Sequence, residues 1–263
     1  MYFALCALVL GLAYFANIVM VSVGFHRGLA HESVHLHPRF RRFIVATGSW
    51  ITGIDPKAWV VMHRMHHADS DTPDDPHSPT NVGILGIGME QLRSYERTLR
   101  GLKRNDPAFT RYAYHLDFDL NWLNRTRRWY LPYALHATIG LAIAASGAWL
   151  LGLAYFAGMM SHPFQGWMVN SFGHAIGGRN FEVNDNSRNN LLAAWLIFGE
   201  GLQNNHHQYP KSAKFSYLKS EPDAGYHVCR AFQALGMLTI DTAHLIPAPG
   251  TVSQPAKPLR RAA

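Results

Sequence analysis

The sequence predicts an all-α fold, an integral membrane helical domain with a cytosolic helical cap. Three observations carry that prediction. Hydrophobic residues make up 48% of the 263 and charged residues only 16%, against roughly 25% charged in soluble domains. Two long segments, Met1 to Phe25 and the stretch between Arg128 and Arg179, contain no charged residue. Histidines cluster near the ends of these segments at spacings of three and four, the spacing that puts side chains on one face of a helix. No linker-like stretch interrupts the middle, so one domain is expected over 1–246, with a disordered tail over 247–263.

The first element is a membrane span over about 2–25, since a bilayer-crossing helix needs ~20 apolar residues. It is expected to be a retained helix and not a secretory signal. It lacks a basic start and runs straight into His26 without a cleavage site. Residues 40–61 are moderately apolar but interrupted by Gly48, Gly53, Asp55, Pro56 and Lys57, which predicts an interfacial or re-entrant piece that delivers His63 to the membrane surface. Residues 68–80 are a proline- and aspartate-rich loop, and 90–128 mix charge with aromatics as a cap touching headgroups would. The second uncharged stretch suits two spans, about 130–150 and 152–174, turning near Ser146–Gly147. Pro163 predicts a kink whose freed carbonyl must find a partner. His136 and His162 within these spans are expected to bond to neighbouring helices. Beyond His207 the sequence is amphipathic to about Ile246.

Charge supports this topology. The formal net charge is +7, but the arginines flank the apolar runs (Arg27, Arg39, Arg41 and Arg42 after the first, Arg125, Arg127 and Arg128 before the second) as the positive-inside pattern requires. That points to membrane lipid as a partner and away from nucleic acid. Two cysteines, Cys6 and Cys229, make no disulfide framework or iron–sulfur site.

The chemistry resides in four clusters: His26–His31, His63–His66–His67, Asn170–His174 and Gln203–His206–His207. Neutral imidazole is the commonest protein ligand for borderline transition metals. His63, His66 and His67 stand at i, i+3 and i+4, and Gln203, His206 and His207 repeat that pattern. His26 and His31 are five apart, ~140° around a straight α-helix, so they converge only if the helix ends between them, for which Gly28 is suited. Four such clusters beside membrane boundaries point to a metal-dependent membrane enzyme. His35, His37, His115, His227 and His244 stand outside them and are expected to be bystanders.

The residues between the clusters identify a family. H-R-G-L-A-H is followed by H-R-M-H-H with S-D-T-P-D-D-P-H-S downstream. Then come V-N-S-F-G-H-A-I-G-G-R-N-F, D-N-S-R-N-N and G-E-G-L-Q-N-N-H-H-Q-Y-P-K-S-A-K-F-S. From about His26 to about Leu238 the chain closely resembles the membrane-bound fatty acid desaturases of the acyl-CoA/acyl-lipid Δ9 type, particularly the bacterial members. The resemblance implies two iron ions on the cytosolic side of a small helical membrane domain, with O₂ as co-substrate. Carried over by position, the metal ligands are His26, His31, His63, His66, His67, His174, His206 and His207, with Asn170 acting through water. Arg64, Asp75, His77, Arg179 and Asp185 also fall in matching motifs and are expected to be structural or to contact headgroups. Two departures stand out. The third box begins with Gln203 where the family has histidine, a weaker ligand that stays a candidate; some desaturases of already unsaturated chains also carry glutamine there. The family has two spans before the first box and this chain has one, which a late recorded start or a three-span form would explain.

The expected activity is O₂-dependent insertion of a cis double bond, of the Δ9 kind, into a saturated acyl chain carried on CoA or lipid. Electrons must come from an external ferredoxin-, rubredoxin- or cytochrome-type donor. The expected location is the inner, cytoplasmic membrane with the site facing the cytoplasm. The rival readings are a histidine-box lipid or alkane hydroxylase and a non-catalytic metal-binding membrane protein. Transport would call for polar ligands at mid-bilayer depth, whereas these clusters lie at span exits.

Overall fold

The computed structural model describes residues 1–250; the expected tail lies outside the described residues from 251 onward. The chain opens with helix α1 (Tyr2–Val19), which continues without a break as a π-helical segment, Met20–Ala30. Together they form a helix of 29 residues, the one among the described residues that is long and apolar enough to cross a membrane. A short strand β1 (Val34–Leu36) leads to α2 (Pro38–Thr52) and α3 (Pro56–Asp69). The interrupted piece expected over 40–61 is made of these two helices, which part at Gly53–Asp55. Gly53, at φ +79°, closes α2 in the left-handed conformation that glycine adopts freely, and the Asp55 carboxylate caps α3 by accepting from the backbone N–H groups of Lys57 and Ala58.

The long α4 (Pro79–Lys103) and the short α5 (Pro107–Thr110) and α6 (Trp122–Arg125) make the cap. Next comes the apolar hairpin of α7 (Leu131–Ala145) and α8 (Trp149–Met159), which turns at Ser146–Gly147, with Gly147 at φ +92°. The two backbones touch: a Cβ added to Gly152 would lie 2.2 Å from the Gly140 carbonyl oxygen. The stretch expected as the third span, 152–174, breaks at Met160–Ser161, beside the kink expected at Pro163, and α9 (His162–Ala175) starts afresh. Pro163 is the cause, since its ring denies a hydrogen bond to the carbonyl four residues back. That carbonyl, Met159 O, accepts from Asn17 Nδ2 of α1 at 2.6 Å, so the group freed by the proline is not left without a partner. His136 bonds Tyr155 OH and the Trp50 carbonyl, each at 2.7 Å.

Three further helices, α10 (Leu191–Leu196), α11 (Gln203–Gln208) and α12 (Ala224–Ala234), precede β2 (Leu238–Ile240) and a 3-10 turn, Thr242–His244. β2 pairs antiparallel with β1, Val34 opposite Ile240, so the C-terminal segment is laced onto the chain just after the first histidine pair. Buried Val23, Val34, Cys229 and Leu238 pack beneath that junction.

Candidate metal centre

The first histidine pair converges without the helix ending. Backbone bonds of the i→i+5 kind place the fifth residue one turn on, and the His31 N–H donates to the His26 carbonyl at 3.0 Å. The two rings then lie 4.9 Å apart. The expected helix stop at Gly28 is therefore corrected: the helix runs on to Ala30 with wider winding. Arg64, on α3, donates from Nε to the Ala30 carbonyl at 3.0 Å and from Nη2 to the Leu29 carbonyl at 2.9 Å. It ties off the end of the π segment and holds the first cluster against the second.

α11 is only six residues long and could not stand alone. It is clamped by Asn204 and Asn205, both fully buried. Asn204 Oδ1 accepts the backbone N–H groups of Asn180 and Phe181, and Asn205 Nδ2 donates to the Phe215 carbonyl and to Glu221. His206 and His207 are thereby aimed at the other clusters.

The eight histidines carried over from the family pattern come together as two groups. In one, His26, His31, His63, His67 and His206 present ring nitrogens that all lie within 4.8 Å of one another. The Nε2 atoms of His26 and His67 each approach that of His206 at 3.0 Å, and those of His31 and His63 are 2.7 Å apart. In the other group, His66, His174 and His207 converge within the same limit, and the Nε2 atom of each is buried with no hydrogen-bond partner. The groups adjoin, with the His67 ring 4.4 Å from that of His207. Buried nitrogens left unpaired are costly, and rings that converge on a point with lone pairs free are the donor set of a metal ion. The residues fit a pair of metals.

Carboxylates orient the rings. Asp75 accepts from His66 Nδ1 at 2.9 Å, Asp71 from His174 Nδ1 at 2.8 Å, Asp185 from His207 Nδ1 at 2.8 Å and Glu200 from His26 Nδ1 at 2.6 Å. Each such bond fixes the tautomer that leaves Nε2 bare and raises its basicity. Burial, and then the neighbouring imidazoles, hold His31, His63, His67 and His206 well below the ordinary imidazole range. These rings are neutral near pH 7, the form that ligates. Burial alone would raise the Glu200 carboxyl, but His26 and Arg27 beside it reverse this and hold it down at about 2.

Asp75 and Asp185, placed by sequence among structural residues, thus bond directly to rings of the three-histidine group. Asp71 and Glu200 were not singled out from the sequence, although each sits inside a quoted motif, S-D-T-P-D-D-P and G-E-G-L-Q. Arg27 is also corrected. It is no headgroup-facing flank but fully buried, with its Nη1 2.5 Å from Glu200 and its Nη2 3.4 Å from Asp223. Arg179 is exposed and donates to the Asp185 carbonyl at 2.6 Å. His77 stacks on His66 at 4.7 Å. His115 and His244 are surface groups paired with Glu32 and Asp241, and His37 caps α2. Asn170 donates to Gln91 Oε1 at 3.1 Å, and Gln203, 2% exposed, donates from Nε2 to the Glu200 carbonyl at 2.6 Å.

A cavity of about 360 Å³ reaches this centre. His26, His63, Asn170 and Gln203 line one part of it, and Ile18, Val21, Trp59, Leu92, Leu99 and Val169 give it apolar walls.

An all-α membrane domain whose cap holds two imidazole clusters beside an apolar cavity defines a histidine-box membrane metal protein. The sequence pattern of the family described as fatty acid desaturase matches residues 2–221, and the chain belongs to that family. It is 31% identical over 244 residues to the hex-5-enoyl-[acyl-carrier protein] acetylenase of Moorena producens, covering 84% of this chain and 72% of that protein. With the icosanoyl-CoA 5-desaturase of Limnanthes douglasii it shares 31% identity over 87% of this chain and 62% of the relative. With the sn-1 stearoyl-lipid 9-desaturase of Anabaena variabilis it shares 29% over 83% and 77%.

Proposed function

We propose that the chain is an O₂-dependent fatty acid desaturase that introduces a cis double bond, at Δ9, into a saturated acyl chain at a di-iron centre. The observation that carries this reading is the cavity, apolar along its walls and floored by ligand histidines and Asn170. An extended hydrocarbon chain fits such walls, and only a site with oxidising power has use for an unactivated methylene placed there. His26, His31, His63, His67 and His206 would hold one iron. His66, His174 and His207 would hold the other, with Asn170 reaching one of the two through water and Gln203 offering an amide oxygen. The bound irons supply O₂ activation and C–H cleavage. The protein's share is to fix the rings through their carboxylates, exclude water with Trp59 and its apolar neighbours, and present two adjacent methylenes to the centre. Loss of two hydrogens with reduction of O₂ to two waters takes up two electrons and two protons, so an external carrier of the ferredoxin, rubredoxin or cytochrome type is required. In this reading residues 1–246 act as one domain of the inner membrane, with the centre facing the cytoplasm. The test is expression in a host that lacks the product. Fatty acids are profiled and double bonds mapped by mass spectrometry, with CoA-, carrier- and lipid-linked acyl chains compared. A new hydroxy acid in place of an alkene would favour the hydroxylase, and bound iron with no new product would refute the reading.

A further inference from the structure

The two histidine groups differ in charge as well as in number. Each ring of the three-imidazole group rests on a carboxylate, Asp75, Asp71 or Asp185, and among the described residues those carboxylates have ion pairs with histidine alone. The five-imidazole group has one such carboxylate, Glu200 on His26, and the buried Arg27 lies against it. Geometry fixes the charge of Asp71. It accepts from His174 Nδ1 and the Asn186 backbone N–H, each at 2.8 Å, and from the Ser78 hydroxyl at 2.5 Å. A carboxyl surrounded by donors in this way is the ionised, acceptor-only form.

We propose that the two metal positions are electronically unequal. The three-imidazole position, with three carboxylates unpaired to any arginine or lysine behind its ligands, holds the more highly charged ion, and the five-imidazole position, whose one carboxylate Glu200 shares Arg27 with Asp223, holds the less charged one. The inference rests on the di-iron reading above. Charge placed one hydrogen bond behind a ligand tunes the metal it faces, and negative charge stabilises the ferric over the ferrous ion. Gln203 adds at most a neutral amide oxygen and does not alter the balance. Asp71, Asp75 and Asp185 are positioning residues in this scheme, with an electrostatic part beyond orientation.

Asp71→Asn separates charge from geometry. The amide oxygen still accepts from His174 and Asn186, its NH₂ donates to the Ser78 hydroxyl, and asparagine tolerates the φ of +60° found at this position. The full-length protein in lipid nanodiscs is loaded with ⁵⁷Fe, oxidised, and titrated with dithionite under Mössbauer observation. Two iron signals reducing in separate steps are expected. Asp71→Asn should shift only the later-reducing iron to higher potential, whereas Glu200→Gln should shift only the earlier one. Asp185→Asn, nearer the surface, serves as the second variant should Asp71→Asn fold poorly, with the same expected result. Irons that reduce together, or an Asp71→Asn shift shared by both or confined to the earlier iron, would overturn the inference while leaving the di-iron reading intact. Failure of the parent to bind iron at all would overturn both.

Discussion

A histidine ligates only when neutral and aimed, and both conditions are met here by groups other than the metal. Burial keeps His31, His63, His67, His206 and His207 unprotonated, and carboxylates set the tautomers of His26, His66, His174 and His207, so the loss of one ring leaves its neighbours misaligned as well as one donor short. His66→Ala or His206→Ala should therefore abolish unsaturated product and lower bound iron, with protein still present in the membrane. His115→Ala and His244→Ala, whose partners Glu32 and Asp241 lie at the surface, should retain most activity. Equal loss in both sets would point to general destabilisation in place of metal binding. Gln203 is the informative intermediate. Its amide nitrogen is committed to the Glu200 carbonyl, which leaves only the carbonyl oxygen as a donor, weaker than imidazole toward a borderline metal. Gln203→Ala should lower both iron per protein and turnover, while Gln203→His should keep iron bound. An alanine variant equal to the parent in both would remove Gln203 from the centre.

Among the elements, two irregular helices do the positioning. The π segment aligns His26 with His31, a result the five-residue spacing does not reveal because it is out of phase with α-helical periodicity. The break between α8 and α9 was legible at Pro163, but its remedy was not. Asn17 lies 142 residues from Met159 and is fully buried inside an apolar helix, where sequence alone offers no reason for an asparagine. Asn17→Leu should strip that carbonyl of its donor at a cost of about 1–3 kcal/mol. It should lower the unfolding temperature in detergent with iron content unchanged. An unchanged midpoint would show that the bond contributes nothing.

At the scale of the molecule, the cluster makes the metal-free protein acid-sensitive. In the folded chain His31, His63, His67 and His206 titrate well below the value of 6.5 they take when free, and His207 at about 4 because burial outweighs the help of Asp185, against which stands His66 alone, raised by Asp75. Between these limits the unfolded chain binds more protons than the folded one, so stability falls as pH drops from 6.5 to about 4. Chelator-treated protein should lose thermal stability across that window, and iron-loaded protein less so because metal competes with protons. A flat profile for the metal-free form would contradict the buried, neutral cluster. The exposed Arg179, just past α9, should lie on the cytoplasmic side. A cysteine at 179 labelled only from outside the cell would reverse the proposed orientation.

The sequence by itself determined the helical membrane class, the hairpin turn at Ser146–Gly147 and the family. It also marked the histidines that converge, because charge-free length and i, i+3, i+4 spacing are local properties of a chain. The tertiary structure alone decided how those histidines divide, five and three, and which carboxylates stand behind His26, His66, His174 and His207. Asp71 lies 103 residues from His174, and Glu200 lies 174 from His26. Nothing local distinguishes these acids from their solvated neighbours. Arg27 shows the same limit from the other side: beside an apolar run a cation reads as a flank, and only the folded chain supplies the buried Glu200 and Asp223 that make it part of the core. Pairing across such separations is set by packing, which brings unlike segments together after each has taken its local form.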